Sequence, residues 1–248
     1  TKPVEQAFAI LRDFMINVGH ELNTPLSIAQ AALENIERNG AEPDQMSKKL
    51  PVVKLSLTRM RNLVDDLIIL ARLDSSRVNK KALQCVALHE VLAETILHVQ
   101  PLVEERQISL SVQQMTNAHI RGDPLQLQQM LTNLLQNAIS YNKPNGSIAI
   151  SLHAEQHEAV LTVADTGIGI SATDLPKIFD RFYRAESCLS QMTAGSGLGL
   201  SIVKAVVDFH RGAIKVESEL NAGTKVIVRL PLTSQPSSAT HTTPTHSL

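Results

Sequence analysis

From Val4 the apolar positions run Phe8, Leu11, Met15, Val18, Leu22, Leu26, Ala29, Leu33 and Ile36, mostly three and four residues apart. This spacing predicts one long helix with the apolar seam of a coiled coil or helix bundle. The stretch NGAEP, residues 39–43, carries the glycine and proline that end it and open a loop. A second segment then places Val53, Leu57, Met60, Val64, Leu67 and Leu70 on one face and stops near LDSS, residues 73–76. Pro51 either opens the regular part of that helix or kinks it. A hairpin of two such helices leaves its stripe half uncovered. Burying each seam Leu or Val contributes roughly 1.5 to 3 kcal/mol, against about 1 to 2 kcal/mol for ordering each backbone unit. A second copy is therefore expected, giving a homodimer with a four-helix bundle.

After the polar, basic stretch SSRVNKKALQ the period changes. The segments 108–113, 147–155, 159–165, 213–219 and 224–232 alternate or run apolar as strands do. Helical patterns cover Leu88 to Glu105, Pro124 to Asn142 and Leu198 to His210, the second opened by Asp123 as a cap with Pro124 in its first turn. The expected fold is thus multidomain: an all-α hairpin followed by an α/β sandwich, a mixed sheet with helices on one face. Its expected divisions are a hairpin over 1–76, a flexing linker over 77–86, a second domain over 87–232, and a disordered Ser/Thr/Pro-rich tail over 233–248.

A chain of 248 residues is long enough for two modest cores. Its 23 Lys and Arg against 24 Asp and Glu leave no cationic excess for nucleic acid or an anionic membrane. The two cysteines, Cys85 and Cys188, form no CxxC pair, which argues against zinc and fits free thiols in a reducing compartment. No apolar run approaches the roughly 20 residues that span a bilayer. The chain begins at Thr1 and enters a helical repeat almost at once, so further segments are expected before it.

His20 lies about 180° from the direction of Val18 and Leu22 on a helical projection, so it is expected to face water. Thr24 lies one turn on, Glu21 is adjacent, and Pro25 leaves the Glu21 carbonyl without its helical N–H. An interior proline costs a helix about 3 kcal/mol, and a bend beside an exposed imidazole points to use. Such an imidazole is a nucleophile near neutral pH, and a neighbouring carboxylate can take its other proton as it attacks.

No GxxxxGK[ST] element is present and the protein-kinase motif set is absent. Four other segments stand out: NLLQNA (133–138), DTGIGI (165–170), IFDRFYR (178–184) and GSGLGL (195–200). Asn133 and Asn137 share a helix face, where neutral amide oxygens can ligate a hard cation such as Mg²⁺. Asp165 ends a strand and leads into two glycines, holding a carboxylate where a purine amine could donate to it. Gly195, Gly197 and Gly199 precede a helix and bare N–H groups suited to phosphates. The polar stretch between the glycine segments suits a lid, and Arg184 at its start suits a phosphate clamp.

Taken together, these segments resemble the transmitter core of sensor histidine kinases, over about residues 5 to 232. HELNTPL is similar to the family's H box, NLLQNAISY to the N box, DTGIGI to the first glycine box, FDRFYR to the F box and GSGLGL to the second glycine box. The resemblance implies a dimerising phosphoacceptor hairpin and an ATP-binding domain of the GHKL (Bergerat) fold. It implies ATP-dependent phosphorylation of His20 with Glu21 as base, then transfer to an aspartate of a response regulator receiver domain. Glu21 and Thr24 match an E-x-x-T pattern associated with regulator phosphatase activity. Asn137 would ligate Mg²⁺, and Asn133 would lie near the phosphates with a catalytic part. Tyr141, Asp165, Gly167, Gly169, Ile170, Tyr183 and Thr224 would line the nucleotide site. Arg184, Lys143, Gly195, Gly197, Leu198, Gly199 and Leu200 would hold the phosphates or flank them. The family also implies the cytoplasmic portion of a membrane-anchored bacterial sensor, its contact with the membrane made by segments outside this sequence.

Three positions depart from the family pattern: Gly19, Asn23 and Ser140, the last where a basic residue commonly holds phosphate. One lost cationic donor forfeits roughly 1.5 to 3 kcal/mol, unless Lys143 substitutes. The rival readings are a catalytically silent dimeric scaffold that binds nucleotide, and another GHKL ATPase, which would not need the exposed histidine.

Overall fold

The computed structural model describes residues 2–38, 43–74, 83–185 and 195–233. Helices α1 (Lys2–Arg38) and α2 (Pro43–Asp74) pack against each other as the hairpin. α1 runs without interruption through Pro25, and Pro51 lies inside α2 rather than at its start. The small side chains of Ala29, Ala32 and Ser56 are buried, as close packing of two helices requires. Phe8, Leu11, Met15 and Leu33 on α1 and Leu57, Val64 and Ile68 on α2 remain exposed, Phe8 at 72%.

The second domain begins earlier than the sequence pattern suggested. Gln84–Ala87 form β1, inside the stretch expected to be linker, and pair antiparallel with β3 (His119–Gly122). Both strands are four residues long, too short for alternation to reveal, and they are fixed by burial of the opposed pair Val86 and Ile120. The remainder of the expected linker that precedes Leu83 lies outside the described residues, as does the expected tail beyond Thr233. Thr233 itself still donates its N–H to the His119 carbonyl at 2.8 Å.

The other elements are α3 (Leu88–Glu105), β2 (Ser109–Met115), α4 (Pro124–Ser140), β4 (Ser147–Glu155), β5 (Glu158–Asp165), α5 (Gly199–Phe209), β6 (Ala213–Glu219) and β7 (Gly223–Pro231). Five strands make one sheet in the order β2-β4-β5-β7-β6, with β2 parallel to β4 and every other pair antiparallel. Helices α3, α4 and α5 cover it, α4 packed between the other two, which gives the expected mixed α/β layer arrangement. Asp123 caps α4 as anticipated, its carboxylate accepting from the N–H groups of Leu125 at 2.9 Å and Gln126 at 3.4 Å.

The two domains share a core. Leu63 and Leu70 of α2, 4% and 1% exposed, belong to the same buried cluster as Leu127, Leu131, Ile202 and Val206, with Leu22 and Leu67 packed against it. The hairpin stripe thus serves two partners: α2 turns one edge to its own second domain and leaves the other uncovered. Burial of the two leucines contributes roughly 3 to 6 kcal/mol to this seat. Phe14 and Phe182 add a tilted ring contact at 5.6 Å, with the Arg181 guanidinium 5.7 Å from the Phe14 ring centre.

His210 ties α5 to the start of α4. Its Nδ1 lies 2.7 Å from the Val206 carbonyl, and its Nε2 accepts from the Asp123 N–H at 3.2 Å. Only the neutral Nδ1–H tautomer serves both bonds, and burial holds the imidazole below its ordinary pKa. The unfolded chain therefore binds this proton more readily, so the contribution is present above the ordinary imidazole pKa and lost as pH falls below it. Melting temperature is expected to fall between pH 7.5 and 5.5, and to fall less for His210→Gln, whose amide can keep one bond of each kind. Leaving the Asp123 N–H bare in His210→Ala should cost about 1 to 3 kcal/mol at pH 7.5. Identical pH profiles for all three proteins would contradict this.

Candidate functional site

Two connected hollows lie where α4, the loop after β5 and the start of α5 converge. The inner one, about 800 Å³ counting its mouth, is walled by Leu134, Ala138, Val163, Ile168, Ile178, Val216 and Val226, with Asp165 and Thr224 in its lining. Strand register explains the wall: Val163 pairs with Val226, and Val226 with Val216, so three neighbouring strands present valine side by side. Asp165 Oδ1 accepts from the N–H of Gly167 at 2.8 Å and of Thr224 at 3.3 Å. Burial raises the Asp165 pKa, and the two backbone bonds hold it back. Its second oxygen is left for a donor inside the slot. An apolar slot with one carboxylate oxygen suits a heterocycle bearing an amine on its edge.

Local backbone geometry builds this slot. The Tyr141 carbonyl accepts from the Ile168 N–H at 3.0 Å, and a Cβ on Gly167 would come within 2.2 Å of that oxygen. Only glycine permits the approach. Ser218, at the end of β6, accepts from the Ile170 N–H at 2.8 Å, donates to the Gly223 carbonyl at 2.8 Å and touches Thr224 Oγ1 at 2.8 Å. Tyr183 donates its hydroxyl to Asp174 at 2.6 Å, with Ser171 on the other carboxylate oxygen at 2.8 Å. These bonds hold the Asp174 pKa below the carboxylate range.

The outer hollow is a cleft between domains. Glu21, Thr24, Pro25 and Ile28 of α1 and Arg59, Asn62, Leu63 and Asp66 of α2 form one wall. Asn133, Gln136, Asn137 and Ser140 of α4, with Tyr183, Arg184, Gly195, Gly197, Gly199 and Leu200, form the other. Asn133 is 7% exposed, and its Nδ2 lies buried without a hydrogen-bond partner. A Cβ on Gly199 would stand 3.6 Å from Asn137 Nδ2, so the glycine leaves the amide open toward the α5 start. Gly197 has φ +72, and a Cβ there would strike the Phe182 Cα at 2.8 Å. Its carbonyl accepts from the Phe182 N–H at 3.1 Å, which ties the glycine turn to the segment carrying Arg184.

His20 is exposed on the face that the helical projection indicated, while Glu21 is half-buried toward the cleft. Burial raises the Glu21 pKa, and the fields of Arg184 and then His20 oppose it. The Thr24 hydroxyl donates to the His20 carbonyl at 3.0 Å. Asp66 is pushed up to about 6, first by burial and then by Asp65, with Gln129 Nε2 donating to it at 3.1 Å in opposition.

Comparison with known proteins decides the family. Residues 10–76 match the family described as His Kinase A (phospho-acceptor) domain, and residues 122–234 match Histidine kinase-, DNA gyrase B-, and HSP90-like ATPase. The solved chain of the mycobacterial sensor histidine kinase MprB is 30% identical, with a TM-score of 0.53 over 60% of this chain and 97% of that one. The chain belongs to the sensor histidine kinase family. The sensor protein SrrB of Staphylococcus aureus is 35% identical over 223 residues, which is 89% of this chain and 38% of SrrB. This sensor-kinase chain therefore spans well under half the length of the curated relatives it matches. The histidine kinase AdeS of Acinetobacter baumannii, 22% identical, shares the two-domain fold at a TM-score of 0.66 over 87% of this chain. Among the described residues no helix is long and apolar enough to cross a membrane.

Against the residues expected from the motifs, the kinase fold brings Glu21, Thr24, Asn133, Asn137, Tyr141, Tyr183, Arg184, Gly195, Gly197, Gly199 and Leu200 to the cleft. Asp165, Gly169, Ile170 and Thr224 line the inner slot, and Gly167 supports it through Asp165. Two of the expected residues stand apart from both hollows. The Lys143 ammonium donates to the Asn221 carbonyl, beside the β6–β7 turn, and lines neither hollow. Leu198 is fully buried in the core, with its N–H bonded to Ser196 Oγ at 3.3 Å. Most of the stretch expected to form a lid, residues 186–194, lies outside the described residues. Motif reading missed Ser218 and Asp174, polar residues outside any box, and the valine wall, which strand alternation could have supplied.

The raised Asp66 pKa means that the folded chain holds this proton more strongly than the unfolded one. Its stabilising contribution is complete below about 4, the ordinary carboxylate value, and is lost as pH rises through about 6. Asp66→Asn keeps an acceptor for Gln129 and should gain about 1 to 2 kcal/mol at pH 7.5, discounted for partial exposure, and almost nothing at pH 4. Chemical denaturation at both pH values tests this, and an equal effect at both would contradict it.

Proposed function

We propose that the chain is a histidine kinase core that holds ATP in the paired hollows, phosphorylates His20, and passes the phosphoryl group to an aspartate of a response regulator receiver domain. The single observation supporting this most strongly is that one cleft is lined both by H-box residues, Glu21 and Thr24, and by the asparagines and glycines of the ATPase domain.

The residues present fit the nucleotide. The free oxygen of Asp165 would accept from the adenine amine, with Thr224 and Tyr141 beside the ring. The buried, unpartnered Asn133 Nδ2 is a donor in search of an oxygen anion. Among the described residues no group of acidic or imidazole side chains could hold a metal alone, so the Asn137 amide would contribute one ligand to a Mg²⁺ otherwise held by phosphate oxygens and water. That ion would neutralise charge on the triphosphate.

A nitrogen of the His20 ring attacks the terminal phosphorus as the bond to the bridging oxygen breaks. Glu21 accepts the proton from the other ring nitrogen, which its raised pKa favours. Arg184, whose field Glu21 feels in this arrangement, would turn to the transferring group. Since little covalent chemistry is asked of the protein, its task is to position the ring and neutralise charge. Thr24 and Glu21 would serve the reverse duty, regulator dephosphorylation, once the Thr24 hydroxyl leaves the His20 carbonyl.

The exposed stripe of Phe8, Leu11, Met15, Leu57, Val64 and Ile68 supports a homodimer through a four-helix bundle. Response regulator partnership is in keeping with the solved complex of the histidine kinase ThkA with the response regulator TrrA. Anchorage in a bacterial membrane, with this core on the cytoplasmic side, would fall to segments outside this sequence.

His20→Gln is expected to abolish uptake of label from γ-labelled ATP into a base-stable, acid-labile linkage while leaving ATP binding intact. Persistent labelling would overturn the assignment. Asp165→Asn places an amide N–H against the adenine amine and should weaken ATP binding about 10- to 100-fold. The fold should survive, because burial already favours the neutral group; calorimetric titration showing unchanged affinity would refute the adenine assignment.

A further inference from the structure

We propose that Arg59, on helix α2 of the hairpin, binds the terminal phosphate of the nucleotide held by the second domain of the same chain. The inference rests on the ATP reading above and adds a residue that lies outside every recognised box.

The phosphate end of the cleft is short of positive charge on the domain that carries it. Position 140 is serine, and Lys143 is turned away to the Asn221 carbonyl. Among the residues lining the cleft the cations are Arg184 and Arg59, and the anions are Glu21 and Asp66. Glu21 feels the Arg184 field. Arg59 is different: among the described residues its guanidinium makes no hydrogen bond or ion pair, although it lines the same cleft as Asn133, Gln136 and Ser140.

The fold holds Arg59 in place on this wall. Leu63, one turn on, is closed into the shared core at 4% exposure. Asp66, a further turn on, accepts from Gln129 of α4 at 3.1 Å. From that bond, seven residues back along α2 reach Arg59, and seven forward along α4 reach Gln136. Each step is about 10 Å of helix, and both residues line the cleft. A planar guanidinium with no partner among the described residues lines the same cleft as a buried, unpartnered amide N–H, and together they make an anion site built from two domains. Nucleotide is therefore gripped most tightly when the hairpin is seated, and its terminal phosphate lies on the hairpin side that bears His20.

The full chain, Arg59→Gln and Arg59→Lys would be titrated with Mg-ATP and Mg-ADP, with thermal melting as the check on folding. Arg59→Gln should weaken ATP binding about tenfold, the scale of one charge-assisted bond, and leave ADP binding unchanged. Arg59→Lys should recover part of the loss. Two results would overturn the proposal: ATP affinity unchanged in Arg59→Gln, or ATP and ADP affinity falling together. A wild-type chain that binds neither nucleotide would sink the ATP reading itself, and this inference with it.

Discussion

The seat of α2 in the core of the ATP-binding domain is the constraint on which the rest of the arrangement depends. Leu63 and Leu70 close into the same buried cluster as α4 and α5, so the helix that pairs with the phosphoacceptor helix is also a wall of the nucleotide domain. Without that seat, the H box and the glycine boxes would belong to two bodies joined only by a chain segment. With it, Glu21 and Thr24 face Asn133, Asn137 and Gly199 across one cleft. The ring contact of Phe14 with Phe182 fixes a second point, near the segment that carries Arg184. Roughly 3 to 6 kcal/mol from the two leucines is strong enough to define a resting arrangement and weak enough to be exchanged during a cycle.

The electrostatics follow from the same geometry. On the proposed reading the site would meet a polyanion mostly with neutral amides and backbone N–H groups, which can order phosphate oxygens without trapping them, and with arginines at the rim. Its carboxylates are the burdened groups: Asp165, Glu21 and Asp66 are all raised, with burial the largest cause in each case. For Asp165 that burden is held in check by two backbone donors, which fix the carboxylate with one oxygen toward the slot. For Glu21 it makes the carboxylate a better proton acceptor beside the exposed imidazole.

Much of this was legible in the chain because each signal was local. The seam of α1, the Asp123 cap and the long strands β4 to β7 follow from period and punctuation, and the outward face of His20 follows from its angle to Val18 and Leu22. What escaped was non-local. The strands β1 and β3 are held by one buried pair rather than by a pattern. The second use of the α2 stripe needed the other domain in place, since periodicity shows that a face is apolar and not what covers it. Lys143 was assigned to phosphate on charge and proximity along the chain, and the turn at Asn221 claimed it instead. Ser218 and Arg59 carry no motif, and only the fold brings them to the site.

On the proposed reading, nucleotide and phosphoacceptor helix share one cleft, and this shared use is open to direct test. It is tested most directly by a crystal structure of the full chain with Mg²⁺ and a non-hydrolysable ATP analogue. The adenine amine is expected on Asp165, and the terminal phosphate among Asn133, Arg184 and Arg59 on the side facing α1. A triphosphate directed away from α1, or a base bound outside the valine-walled slot, would contradict it.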